Sequence, residues 1–410
     1  MLHFLAYGNS DQASFRDLEV RQCFDILTVP STIASYYSDA TAAFVLSSQL
    51  DYMIEPRTPL IQEMLQAPRA SHYTLAAEMG ETVNAHLNKG GEVVDGNSRY
   101  FSPEFYSDDV CREMVTSMVD FQRQYGGRSA QITDKLNRYR KLLAEATGDS
   151  GTTERNDEKR EPSYILCPYF AVRSFSDKWW KVVGRTWNAA TQLDDPGVIS
   201  PVVSMSDPSL LREAIEQVPS TLSSKVFFWI PGFDEKQASL HSLVQVRSVV
   251  ADLNEEYDLF NLYGGYFSIL LGKFGLAGFN NGLGYSESRE WPTLDSTGAA
   301  PARYYVRKLH AYVSTATASA IVEADPAFAC ECSVCRGGRL PTELTYHELK
   351  RHFALARAWE IEIANSASLP DLRDTLRADS SRCDNLRNRL PSHLRIPTDH
   401  LNRWAEALDS

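Results

Sequence analysis

Three cysteines crowd one short run of the chain, Phe328-Ala-Cys330-Glu-Cys332-Ser-Val-Cys335-Arg-Gly-Gly. Three thiolates on one tight turn are what a soft tetrahedral ion needs, and Gly337 and Gly338 let the chain double back behind them. The fourth ligand must come from elsewhere. Downstream, TELTYHELKRHFALARAWEIEIA reads as a helix whose packing stripe is Leu349, Ala356, Trp359 and Ile363. His352 lies on that stripe, whereas His347 points about 140° away at about 100° per residue. The expected metal set is therefore Cys330, Cys332, Cys335 and His352. Cys3His is a closed coordination sphere, so the ion, zinc by ligand type, is expected to be structural and to pin the helix against the preceding strand and loop. Three free thiols that merely neighbour one another are the bland alternative. A redox role is disfavoured, because no thioredoxin-like strand pattern precedes Cys332-Ser-Val-Cys335.

A second set of chemically capable residues follows short apolar runs. It comprises Tyr169 beside Pro168 and Phe170, Phe233 beside Trp229 and Gly232, and Tyr263 through Tyr266. Tyr169, Phe233 and Tyr266 could stack a flat base, or simply pack a rim. Gly264-Gly265 would let a ligand approach the backbone, or form an ordinary turn. Asn280, Asn281, Tyr285 and Glu287 fall together and could read a base edge by paired donors and acceptors. Glu287 and Asp234 are the acid/base candidates nearest them, with exposed carboxylates as the plainer reading. No G-x-S-x-G, G-x-G-x-x-G or P-loop pattern occurs, so triad hydrolysis and the common nucleotide folds lack local support.

The elements that must position these groups are legible as an alternation. Apolar β-rich runs at 3–7, 24–29 and 43–47 read as early strands, and 75–145 reads as helical, with Met114, Met118 and Phe121 at helical spacing. The polar stretch 148–162 reads as a mobile loop. From residue 163 onward, strand-like runs such as SYILCPYF, VISPVVSM and KVFFWIPGF alternate with amphipathic helices, ending in a strand at 276–280. About eight parallel strands with crossover helices favour a (β/α)8 TIM-like barrel, whose sites form at the C-terminal strand ends. The organisation expected is an α/β barrel over 1–320 with a helical insertion at about 75–160. A C-terminal zinc-binding helical subdomain at 321–365 and an arginine-rich helical tail at 366–410 complete it.

Charge and targeting set outer bounds. The 410 residues carry a net charge of -12, which argues against coating nucleic acid through the overall field. Residues 336–410, with 12 Lys+Arg against 11 Asp+Glu, are the exception. Eleven of those cations are Arg, which suits phosphate and equally suits a solvated helical face. No basic leader with an apolar core opens the sequence and no apolar stretch of about 18 residues occurs, so membrane spanning is not expected. With Cys23, Cys111, Cys167 and Cys383 scattered, reduced thiols and a cytoplasmic location are the default.

The C-x-C-x2-C run followed by a helix-borne His, placed after the last strand of an α/β chain, resembles the zinc element of the tRNA-guanine transglycosylase family. That family includes the archaeosine branch and relatives that insert 7-deazaguanines into DNA. The similarity extends upstream through LYGGYFSILLGKFGLAGFNNGLGYSE, where the family's final barrel strands carry a glycine-bearing turn over the base. The resemblance implies a (β/α)8 barrel with structural zinc that flips a guanine out of tRNA or DNA, displaces it with an aspartate, and hands the sugar to an incoming 7-deazaguanine. It also implies an Asp nucleophile on the last strand; Gly275-Leu-Ala-Gly278-Phe279-Asn280 matches that stretch, so Asn280 stands where the Asp belongs. The family's early D-S-G-G segment has no clear counterpart, and Asp51 is a substitute by position only. Three functions follow: a pentosyltransferase of base exchange on a purine; a catalytically silent zinc-containing homologue that binds nucleic acid or partners an active subunit, as a homo- or hetero-oligomer; and a hydrolase using Asp51 or Asp234.

Overall fold

The computed structural model describes residues 1–62, 68–90, 92–94, 97–99, 101–127, 133–147, 160–284, 287–291, 302–391, 394, 396 and 398–409. The described strands are β1 (Leu2–Ala6), β2 (Ile26–Pro30), β3 (Asp51–Glu55), β4 (Glu92–Val94), β5 (Asn97–Arg99), β6 (Tyr164–Leu166) and β7 (Ile199–Ser200). They continue as β8 (Val202–Ser204), β9 (Lys225–Trp229), β10 (Asp258–Asn261), β11 (Gly278–Gly282), β12 (Arg303–Val306) and β13 (Ala311–Ser314). Two antiparallel hairpins, β4–β5 and β12–β13, stand apart, and the other nine segments form one parallel sheet in the order β7-β6-β3-β2-β1-β11-β10-β9-β8.

That order closes on itself. β7 and β8 are one stave interrupted at Pro201, which has no N–H to give a ladder. The first half pairs with β6 through Ile165↔Ile199. The second half pairs with β9 through Val202↔Phe227. Eight staves thus surround a common interior, as the sequence alternation requires. Strand alternation sends Phe4, Tyr164, Phe227 and Phe260 inward, where their rings pack at 4.7–6.1 Å between centroids. Gly278 makes room for them: a Cβ there would lie 2.9 Å from the Phe4 ring and 3.0 Å from the Phe260 ring.

The third stave is not where periodicity put it. Residues 43–47 lie in a helix, Ser38–Ser48, buried from Thr41 onward, and the strand is Asp51–Glu55. A five-residue apolar run buried all round looks the same as strand or helix, and only its neighbours decide. The region 75–145 contains the helices Ala70–Glu78, Glu81–Asn88, Asp108–Gln124 and Thr133–Thr147, with the β4–β5 hairpin among them. Most of the loop expected at 148–162, namely 148–159, lies outside the described residues.

Helix Tyr346–Ser366 takes the place of the eighth crossover, packing beside helix Leu18–Arg21 on one side and helix Tyr266–Leu271 on the other. It opens with a capping box, Thr345 receiving Glu348 N–H while the Glu348 carboxylate receives the Thr345 N–H. Its buried face is Leu349, His352, Phe353, Ala356, Arg357, Glu360 and Ala364. The expected stripe is corrected at its C-terminal half, where Trp359 and Ile363 are exposed and an arginine and a glutamate are hidden instead. Among the described residues no helix is long and apolar enough to cross a membrane.

Candidate metal centre and barrel mouth

The excursion between the eighth stave and the eighth crossover helix carries the β12–β13 hairpin, helix Thr315–Ala324 and the cysteine turn. Gly337 and Gly338 both adopt left-handed φ, +86° and +78°, and return the chain from the turn. One ligand atom from each of Cys330, Cys332, Cys335 and His352 lies within 4.8 Å of every other, and the group could hold a metal ion. His352 Nδ1 lies 3.5 Å from Cys332 Sγ and 3.4 Å from Cys335 Sγ. A tetrahedral zinc with bonds of roughly 2.3 Å to sulfur and 2.0–2.1 Å to nitrogen would set that edge at about 3.6 Å.

The surroundings orient these four side chains. His352 Nε2 donates to the Tyr305 carbonyl at 2.8 Å, which leaves Nδ1 to face the sulfurs. The Tyr304 ring stacks on the imidazole at 4.1 Å, and its hydroxyl sits 3.4 Å from Cys335 Sγ. A cavity of about 450 Å³, lined in part by Cys330, Cys335, Arg336 and Pro341, gives an entry path. Hydrogen bonding with Cys330 and Cys335 pulls the Cys332 thiol down, and hydrogen bonding with Cys330 and Cys332 pushes Cys335 up. Burial pulls the His352 imidazole down, but the Cys330 and Cys332 sulfurs outweigh it and raise it to about 9.

The second constellation lies at the C-terminal mouth of the barrel. Glu55 ends β3, is fully buried, and accepts hydrogen bonds from the hydroxyls of Tyr169 at 2.9 Å and Tyr263 at 2.6 Å. Its other oxygen accepts from Arg57 Nε at 3.0 Å. Burial and then the Glu55 charge push both phenols up, so they stay protonated as donors. Burial acts against the Arg57 charge, and Glu55 more than restores it. Arg57 is held in left-handed backbone conformation at φ +51°, a strain tolerated where surroundings over-determine it. They do: Thr58 bonds both the N–H and the carbonyl of Tyr169, and Gln62 does the same for Ala171, zipping the loop after β3 to the loop after β6.

Asn280 shares the inward face of Gly278 by strand alternation. Its Nδ2 donates to the Leu262 carbonyl at 2.9 Å, and its buried Oδ1 has no partner among the described residues. Two hydroxyls on the same interior face, Thr28 on β2 and Ser204 on β8, are also buried without partners among the described residues. Comparison of the chain with family models, with curated proteins and with solved structures finds no match.

The other sequence candidates fall in three places. Asp51 opens β3 at the opposite end of the barrel, where it is exposed and lies 3.4 Å from Arg160. Asn281 faces the helical layer with its side-chain amide 3.2 Å from His3 Nε2, and the His3 ring stacks on Phe279. At the rim, Asp234 accepts the Lys236 N–H at 2.9 Å, and Phe233 packs against the core. Gly264 and Gly265 leave space that this chain fills itself, since a Cβ would strike Ser268 at the first and Glu235 at the second. Tyr266 is covered on one face by His310, ring centroids 3.4 Å apart. Glu287 is buried between Lys236 Nζ, 2.5 Å away, and Arg357. Burial favours its protonated form, but those two cations outweigh it and keep the carboxyl ionised. Tyr285 lies outside the described residues.

Several tail arginines are engaged within the fold. Arg373 and Arg377 reach Asp409 at 2.6 and 2.5 Å, and Arg403 donates to the Lys236 carbonyl. Sequence reasoning missed Glu55, Arg57, Arg357 and Glu360. The signal for Glu55 was present, because a carboxylate at the C-terminal end of a barrel strand reads as chemical once the strand is placed at 51–55.

Proposed function

We propose that the protein breaks and remakes the glycosidic bond of a purine nucleotide in tRNA or DNA, exchanging guanine for a 7-deazaguanine at the barrel mouth. Glu55 supplies the carboxylate, and Cys330, Cys332, Cys335 and His352 hold a structural zinc. The observation that carries this reading is Glu55 itself, a buried carboxylate delivered by a barrel strand at its C-terminal end and oriented by two phenols and a guanidinium. Displacement at the sugar C1′ needs such a group. In the forward step a Glu55 oxygen bonds to C1′ while the base leaves with the electron pair of its glycosidic bond and takes up a proton. The incoming base then gives up a proton, bonds to C1′ and releases Glu55, so the exchange is proton-neutral. The unpartnered Asn280 Oδ1, Thr28 and Ser204 groups would hydrogen-bond the base, because buried polar atoms without partners call for water or a ligand.

The test is an adduct trap combined with guanine exchange, using wild type, Glu55→Gln, Asp51→Ala and Asp234→Ala with tRNA and with duplex DNA. The expected result is an adduct stable to denaturing gels and label exchange in wild type, both lost in Glu55→Gln and retained in the two Asp variants. Adduct persisting in Glu55→Gln contradicts the assignment. Nucleic-acid binding by wild type without adduct or exchange would favour the silent-homologue reading, which Asn280, an amide at the position the resemblance gives to the nucleophile, also supports.

A further inference from the structure

The metal-bearing helix and the rim of the barrel are joined by an unbroken chain of buried polar contacts. His352 holds the Tyr305 carbonyl. The Tyr305 hydroxyl donates to Glu360 at 3.0 Å, and the same carboxylate oxygen meets His310 Nδ1 at 2.7 Å. The other Glu360 oxygen accepts from Arg357 at 3.0 Å, and Arg357 reaches across to Glu287 on the loop after the eighth stave. Glu287 in turn binds Lys236 on the loop after β9. Arg357 is fully buried, with the Tyr305 and Phe353 rings 4.9 and 5.2 Å from its guanidinium carbon.

A guanidinium with no route to water has two arrangements available. Either both carboxylates are in reach and their two charges cancel those of Arg357 and Lys236, or the helix or the loop moves until solvent enters. That all-or-none character allows two sites to bias one element. The metal biases it from one end, since His352 is five residues from Arg357 on the same helix and fixes that helix against the β12–β13 hairpin.

We infer that metal occupancy and the order of the barrel rim at Lys236 and Glu287 form one coupled equilibrium, with Arg357 as the positioning residue that joins them. The metal would then hold the loops in place at the mouth without taking part in chemistry there. The inference does not depend on which reaction the mouth performs.

Deuterium exchange on the full chain, zinc-loaded and chelator-stripped, tests it in wild type, Arg357→Met and Tyr305→Phe. In wild type, stripping should speed exchange about tenfold in peptides holding Lys236 and Glu287, alongside those holding Cys330 to Cys335, while barrel strands β6 and β9 stay protected. Zinc-loaded Arg357→Met should already exchange fast at Lys236 and Glu287, and stripping should add nothing there. Tyr305→Phe keeps the carbonyl on His352 and removes only the bond to Glu360, so it should reduce the metal dependence even if Arg357→Met does not fold. Rim peptides indifferent to stripping in wild type would overturn the inference. So would full metal dependence in a folded variant, or a uniform speeding of β6 and β9 that reports general unfolding.

Discussion

At His352 and the three cysteines, metal uptake would be a contest with protons. A cationic imidazole cannot ligate, and His352 keeps its proton up to about 9 in the metal-free chain. The sign follows from linkage: this raised value stabilises the metal-free fold fully below the unfolded value, about 6.5, and that contribution is lost as pH rises through about 9. Zinc affinity therefore climbs with pH across that window, by up to about tenfold per unit for each proton displaced. Competition titration against a chelator at a series of pH values should show the rise, together with proton release on zinc addition. A flat profile between about pH 6.5 and 9 would mean that metal uptake displaces no proton from His352 or Cys335, against this account. The cluster of Cys330, Cys332, Cys335 and His352 was readable from sequence because sulfur spacing and a helical angle are local facts. Glu55 was not, because its meaning depends on which of two neighbouring segments is the strand.

At the scale of elements, hydrophobic pattern located seven of eight staves and failed at two kinds of place. The run 43–47 is apolar on all sides, and such a run carries no period to tell helix from strand. Along Tyr346–Ser366 the pattern led to Trp359 and Ile363, while the fold buries Arg357 and Glu360. Those charges are tolerated inside because Glu287, Lys236, Tyr305 and His310 arrive from three other segments, a circumstance no local window contains. Gly278 makes a complementary prediction about packing inside the ring. A methyl there would meet the Leu2 carbonyl at 2.7 Å as well as the two Phe rings. Gly278→Ala should cost about 1–3 kcal/mol of stability by overpacking, read from the urea midpoint. A variant as stable as wild type would show that Phe4 and Phe260 can yield.

For the whole molecule, pairing of the first and last staves and packing of the eighth crossover helix meet at one seam. β11 pairs with β1 through five registered residues, and helix Tyr346–Ser366 covers that seam from outside. The C-terminal helix Asp399–Asp409 adds a second clasp, with Trp404 Nε1 donating to the Glu235 carbonyl at 3.0 Å and Arg403 to that of Lys236. Both clasps bear on the rim loops, and one of them runs through the Cys3His cluster. The most direct measurement is X-ray absorption at the zinc edge on the purified full chain, with metal content determined on the same sample. The result expected is one zinc per chain bound by three sulfurs at about 2.3 Å and one nitrogen at about 2.0 Å, with zinc lost in Cys332→Ser. A shell dominated by oxygen, or zinc undiminished in Cys332→Ser, would contradict it.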